Sequence, residues 1–436
     1  MTDASTALEK PNKERADRKQ RRLHWLSALG PGLVTGASDD DPSGIATYSQ
    51  AGAQLGFSIS WTMLLSYPLM AAIQEISARI GRTTGRGIAG NLRQHYSPWL
   101  LHGIVALLLI ANTINIGADL GAMGDAVALL FGGPRLVYAS AFGLLCAALQ
   151  IFMHYKRYAA VLRYLALALL AYLATLAAVH VPWAQALRGV LIPTLSSDAS
   201  FWMTVVAVLG TTISPYLFFW QASQEVEDIH AVAEREPLVK LPRQGPRATE
   251  RIRIDTYIGM GLSNLVGLSI IVVTAATLHV TGVTDIQTSS QAARALRPIA
   301  GHFAFIVFTL GIVGTGLLSV PVLAGSAAYA LGEAQGWKVG LSHRPRRAKA
   351  FYATLAAATV LGGALNFSAL NPIRALYWTA VLNGVVAVPV MAAMMLVAAN
   401  PRAMGSFTIG GWLRACGWLA TLVMAAAAVA MIWTAI

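Results

Sequence analysis

Apolar residues in this chain come in long blocks rather than at the alternating or three-to-four spacing of a half-buried strand or helix. A transmembrane helix needs about 20 mostly apolar residues. With that ruler the pattern predicts eleven spans, at 26–55, 61–80, 100–131, 136–154, 159–179, 201–220, 256–283, 302–331, 351–365, 375–399 and 412–436. The polar residues collect between these blocks. Residues 1–25 form a basic tail with no small-residue cleavage site after the first apolar stretch, so the tail is expected to be cytoplasmic and uncleaved. The longest polar insert, 221–255, holds Pro237, Pro242 and Pro246 without apolar periodicity and reads as a mobile connector.

Two blocks contain residues that oppose a continuous helix. In the first, Gly30-Pro31-Gly32 is followed by Asp39-Asp40-Asp41-Pro42-Ser43-Gly44 at mid-span. In the sixth, Gly210-Thr211-Thr212-Ile213-Ser214-Pro215 repeats the proline break. A proline withholds a backbone donor, and an unwound segment inside a bilayer frees carbonyls that need partners. The two breaks divide the chain into five-span halves, 26–180 and 201–399, each opening with a broken helix, with an eleventh helix at 412–436. In an inverted-repeat transporter, such paired breaks mark a substrate site near the bilayer midplane.

Composition agrees with this reading: 56% of the 436 residues are hydrophobic and only 12% charged, which excludes an ordinary soluble enzyme. The net charge of +12 could suggest nucleic acid, but its distribution speaks of topology instead. Counting Lys and Arg by loop puts 26 on the side of the tail and 5 on the other, with Arg414 inside the last span. The imbalance predicts a cytoplasmic N-terminus and an external C-terminus in a plasma (inner) membrane. Cys146 and Cys416 lie singly in apolar blocks and read as filler. Trp61, Trp99, Trp183, Trp202 and Trp378 fall near predicted interfaces, as in an aromatic belt.

An ionisable residue within a span is a functional candidate because its burial is costly. Asp41, at the break, is a hard oxygen ligand beside freed carbonyls, suited to a divalent cation. Asp39 and Asp40 cannot share its direction, so one or both are expected to face an aqueous vestibule and draw cations in. The opposing possibility is that all three acids lie solvated in an outer loop. Glu75 and Arg79 are spaced for an ion pair on one helix face, a structural latch.

These residues resemble the Nramp family of divalent-metal transporters. Gly30-Pro31-Gly32 with Asp41-Pro42-Ser43-Gly44 is similar to the family's glycine-proline start and Asp-Pro-Gly-Asn motif. Ile76-Ser77-Ala78-Arg79-Ile80-Gly81 with Thr84-Gly85 looks like its second-helix exit, and Ser214-Pro215 stands where it has Met-Pro. Weaker echoes lie at Ala118-Asp119-Leu120, Ala324-Gly325-Ser326 through Glu333, and Pro389. The resemblance implies an all-α polytopic fold, a LeuT-like inverted repeat of five plus five helices with an eleventh, in which helices 1 and 6 are broken. It also implies a metal site at Asp41, with Gly44 in place of the family's asparagine, Thr211 at the carbonyl donor and Ser214 in place of the methionine. Asp40 is a further candidate.

The departures point to a hard ion. A thioether favours softer metals, whereas an oxygen-only set suits Mg²⁺, which usually keeps several waters. The chain therefore looks like the divergent Nramp-related magnesium transporter branch, taking up Mg²⁺ and also Mn²⁺ as substrates, with no resident cofactor and no nucleic-acid partner. The family's two helix-six histidines are Tyr216 and Gln221 here, so uptake without proton coupling is expected. Asp119 and Asp125 are candidates for a proton or ion path, and Asp119 equally reads as a structural acid facing the bundle interior. The rival readings are an ordinary proton-coupled Mn²⁺/Fe²⁺ transporter, a cation-coupled amino-acid carrier on the same fold, and a membrane glycosyltransferase using the acids as a metal site. Ion order and oligomeric state stay open.

Overall fold

The computed structural model describes residues 31–152, 170–232, 234–368 and 371–435. The basic tail, Gly30, most of span five and the end of span four lie outside the described residues. Among the described residues the chain is helical, without strands. The helices are α1 (Pro31–Asp39), α2 (Pro42–Leu55), α3 (Trp61–Thr84), α4 (Ile88–His95), α5 (Pro98–Phe131), α6 (Arg135–Phe152), α7 (Leu170–Ala178), α8 (Trp183–Leu191), α9 (Ala199–Thr212) and α10 (Pro215–Ala231). They continue with α11 (Gly245–Thr274), α12 (Ser289–Arg294), α13 (Ala304–Gln335), α14 (Lys349–Ala364), α15 (Pro372–Ala399) and α16 (Gly411–Ala435).

Among the described residues eight helices are long and apolar enough to cross a membrane, and they coincide with expected spans three, four and six to eleven. A ninth is reached if residues 42–59 and 61–84, bent by 109° where they meet, are taken as one. The first span is divided between α1 and α2, so neither piece is long enough alone. The second, α3, carries Glu75, Arg79 and Arg82. The sixth is interrupted only at Ile213 and Ser214, and its halves run on as one 33-residue apolar stretch.

Helix starts recur as a capping residue followed by proline. Asp41-Pro42, Ser97-Pro98 and Asn371-Pro372 each place a side-chain acceptor over first-turn amides and a proline where no donor is needed. Inside the bundle, glycines set how closely helices cross. Gly32 and Gly36 are one turn apart on α1 and lie on α11, where a Cβ on Gly36 would stand 2.4 Å from the Gly259 carbonyl. A Cβ on Gly210 of α9 would meet Ala380 O at 2.2 Å and Gly384 N at 2.4 Å on α15. Membrane helices lack a hydrophobic drive to associate, and small residues let their backbones approach and gain dispersion contacts.

The insert at 221–255 departs from expectation. Helix α10 continues to Ala231 and α11 begins at Gly245, so only 232–244 links them, and the link is held. Arg82 donates to Glu236 O at 2.5 Å and to Gln244 Oε1 at 2.6 Å, and Leu238 and Val239 donate their amides to the carbonyls of Arg82 and Thr83. Pro242 and Pro246 open helical turns, the positions where proline fits. Both cysteines are buried and unbridged, as expected of filler. Of the tryptophans, Trp99, Trp183 and Trp378 are exposed, but Trp61 is buried at the start of α3.

Candidate cation site

The break in the first span is built around Asp41. Its backbone is extended, Pro42 begins α2, and its Oδ1 accepts from Gly44 N at 2.7 Å and Ser43 Oγ at 2.6 Å. That oxygen is committed to capping the helix. Oδ2 is held more loosely, by Tyr216 OH at 3.3 Å and Asn115 Nδ2 at 3.5 Å. The Tyr216 hydroxyl also lies 3.1 Å from Ser38 O, a carbonyl at the end of α1. All of these residues are buried.

Helix ends reinforce the pattern. The carboxyl ends of α1 and α9 and the amino ends of α2 and α10 meet at the breaks, and carbonyl-bearing ends carry partial negative charge. Thr211 and Gly44 face one another there, since a Cβ on Gly44 would lie 3.1 Å from Thr211 Oγ1 and 3.5 Å from Asp39 O. The room left by glycine is thus bordered by a hydroxyl and a carbonyl. Ser214 donates its hydroxyl back to Gly210 O at 3.0 Å and Thr211 O at 2.9 Å. Its proton is used by its own helix, and its oxygen lone pairs remain. Chemically the arrangement offers one carboxylate oxygen with neutral hydroxyl and carbonyl oxygens about it, a hard donor set.

Asp39 and Asp40 are placed otherwise than expected. Both are buried, and Ser263 Oγ of α11 lies 2.6 Å from Asp39 Oδ2 and 3.1 Å from Asp40 Oδ1. They face span seven rather than an aqueous vestibule, and they are not solvated in an outer loop. The glycine-mediated contact of α1 with α11 turns the last residues of α1 onto that helix. Among the described residues no three His, Cys, Asp or Glu side chains form a metal-holding group.

Asp119 is fully buried on α5, one turn beyond Asn115, and Ser319 Oγ of α13 donates to its Oδ2 at 2.8 Å. Among the described residues its Oδ1 has no hydrogen-bond partner. Asp125 lies about 9 Å further along the helix and accepts from Ser289 Oγ at 2.6 Å, away from the break. The two acids therefore do not share a site. Glu75 and Arg79 do pair, with Oε1 2.5 Å from the guanidinium.

A cavity of about 520 Å³ reaches toward the break along one face of α2, past Gln54 and Gln50 to Ala46, with Tyr377 and Trp378 opposite. Ala46 is about 7.5 Å along the helix from Asp41. Gln50 holds the adjoining loop, donating to Thr284 O and accepting from Ile286 N.

Asn115, Ser38 and Ser263 are the polar groups the sequence reading missed. Asn112, Asn115 and Asp119 do form a polar stripe at helical spacing along an otherwise apolar span, a signal that could have found Asn115. Nothing local marks Ser38 or Ser263.

Comparison with known proteins extends the likeness over the whole bundle. A Klebsiella pneumoniae protein named divalent metal cation transporter MntH is 27% identical over 419 residues, covering 94% of this chain and 95% of that one. A Chromohalobacter salexigens protein of the same name is 27% identical over 69% of each. Among solved structures, the Eremococcus coleocola manganese transporter, complexed with an aromatic bis-isothiourea compound, superposes with a TM-score of 0.71 at 16% identity, over 93% of this chain and 86% of that one. MhsT in complex with L-phenylalanine gives 0.65 at 13% identity, over 94% and 98%. The fold is thus the LeuT-like one. The family model described as natural resistance-associated macrophage protein-like matches residues 32–434, and this chain belongs to the Nramp family.

Proposed function

We propose that this protein carries divalent metal cations into the cytoplasm, Mg²⁺ foremost and Mn²⁺ second, driven by the membrane potential without a coupled proton. Asp41, Thr211 and Ser214 line the path with Gly44, and Asp40 lies behind them on Ser263. The two five-span halves move about this site, with the N-terminus cytoplasmic and the C-terminus outside. Membership of a transporter family and relatives named as divalent metal cation transporters support the general reading. The observation that carries the finer one is the donor set around Asp41 Oδ2, in which Tyr216, Asn115 and the Ser38 carbonyl all present oxygen or amide groups. Mg²⁺ favours such oxygens and tolerates a site that leaves some of its waters in place.

A second reading, a proton-coupled transition-metal carrier, is favoured by Met123. A Cβ on Gly316 would lie 2.5 Å from Met123 Sδ and 3.3 Å from Pro42 Cγ, so a thioether packs beside the break from span three. The test is uptake into liposomes holding purified protein, with internal Mg²⁺ and pH indicators and Mn²⁺ as competitor. Saturable Mg²⁺ entry without internal acidification is expected, and Ser214→Met should shift preference toward Mn²⁺. Mn²⁺ entry with no Mg²⁺ entry, or acidification in step with metal dose, would overturn the proposal, and loss of Mn²⁺ entry in Met123→Leu would then assign the soft donor.

A further inference from the structure

On the arginine-rich face of the bundle, remote from the break, a second pocket of about 470 Å³ is bordered by Arg82, Arg235, Arg243, Arg247 and Arg251, with Glu234 as its one acid. These arginines come from three elements: the end of α3, the link 232–244 and the first two turns of α11. Two are matched from behind. Glu225 of α10 lies 2.5 Å from Arg251, and Asp228 pairs with Arg235 and stands 3.8 Å from Arg251. Arg82 is buried and spends its guanidinium on two neutral acceptors, Glu236 O and Gln244 Oε1. Arg243 and Arg247 are exposed and form no ion pair among the described residues.

Even with Glu234, Glu225 and Asp228 all counted against the five arginines, two positive charges are unmatched. The amino end of α11 adds to them. That helix runs 30 residues, has no acid in its first turn and no side-chain cap from Gln244, and its first-turn residues Arg247 and Ala248 form part of the wall. The helix dipole there favours an anion. Like charges from separate elements repel unless something negative sits between them, and arginine's planar fork suits phosphate oxygens. Among the described residues no aromatic side chain lines the pocket.

We propose that this pocket binds a phosphate-bearing anion, either the headgroup of an acidic phospholipid or a free phosphate. The bound anion ties α3, the 232–244 link and α11 together on the side opposite the Gln50 cavity. The test uses the full-length protein in nanodiscs and two probes. In neutral phosphatidylcholine, inorganic pyrophosphate is titrated by calorimetry. In discs containing phosphatidylglycerol, retained lipid is read by native mass spectrometry.

The variant is Arg243→Gln with Arg247→Gln, which spares Arg82, Arg235 and Arg251 and their contacts. Arg253→Gln, an exposed site on α11 outside the pocket, is the control. Saturable binding of at least one probe is expected in the natural protein and the control, weakened about tenfold per arginine removed in the double variant. Pyrophosphate binding identifies a soluble ligand, and lipid retention alone identifies a headgroup. Failure of both probes, or equal weakening in Arg253→Gln, overturns the proposal. An unchanged melting midpoint of the double variant without anion shows that any loss is not unfolding.

Discussion

Asp41 has two separable duties, because its two oxygens face different partners, and a pair of substitutions divides them. Asparagine caps helices about as well as aspartate, so Asp41→Asn should keep the Gly44 N contact and cost well under about 1 kcal/mol through the cap. Alanine removes both oxygens. It forfeits the cap on the Gly44 amide, about 1 kcal/mol, and leaves the buried Asn115 donor short of an acceptor, while the Tyr216 hydroxyl keeps the Ser38 carbonyl. A buried donor left without any partner costs about 1–3 kcal/mol, so the expected loss for Asp41→Ala is about 2–4 kcal/mol. Both variants lose the negative charge at Oδ2 and should lose metal. Tryptophan-fluorescence melting of the purified proteins, with and without metal, reads both effects together with liposome uptake. A ligand at about 100 times its dissociation constant stabilises by about 2.7 kcal/mol, a clear upward shift expected for the natural protein and absent from both variants. Only the alanine variant should melt early without metal. Uptake by Asp41→Asn at the natural rate would refute the ligand role, and equal melting of the two variants would refute the cap.

Other outcomes follow from packing and burial. Gly36→Ala places a methyl against the Gly259 carbonyl and should cost about 1–3 kcal/mol by overpacking, displacing α1 and slowing transport, whereas Gly103→Ala, with nothing within 4 Å, should melt unchanged. Arg79→Ala strands the buried Glu75 carboxylate and should lower the melting midpoint more than Glu75→Gln, which removes the buried charge itself; the reverse order would show that the pair is not a latch. Ser319→Ala removes the hydrogen bond to Asp119 Oδ2, and if that acid is structural, the variant should lose stability while leaving the ratio of Mg²⁺ to Mn²⁺ uptake unchanged.

Some of this molecule is written locally in the chain. Length and apolarity place the long spans because a bilayer leaves no alternative to a helix of about 20 residues. The break at Asp41 is legible for the same kind of reason. Aspartate at the cap followed by proline at the first helical position favours a helix start, and Asp41 Oδ1 does cap α2. What lies around Oδ2 is not local. Asn115, Tyr216 and Ser263 stand 74 to 224 residues from their aspartate partners and arrive only when helices cross. Asp39 and Asp40 turn toward α11 where Gly36 approaches Gly259; the Gly32 and Gly36 spacing marks a close-packing face but does not name its partner helix. The link at 232–244 has the composition of a loose loop, and it is Arg82, more than 150 positions earlier, that supplies the donors to hold it. Periodicity and proline thus settle where helices run and where they stop, since both act over a few residues. Which oxygens meet at the break, and which charges gather at the far pocket, depend on how those helices pack.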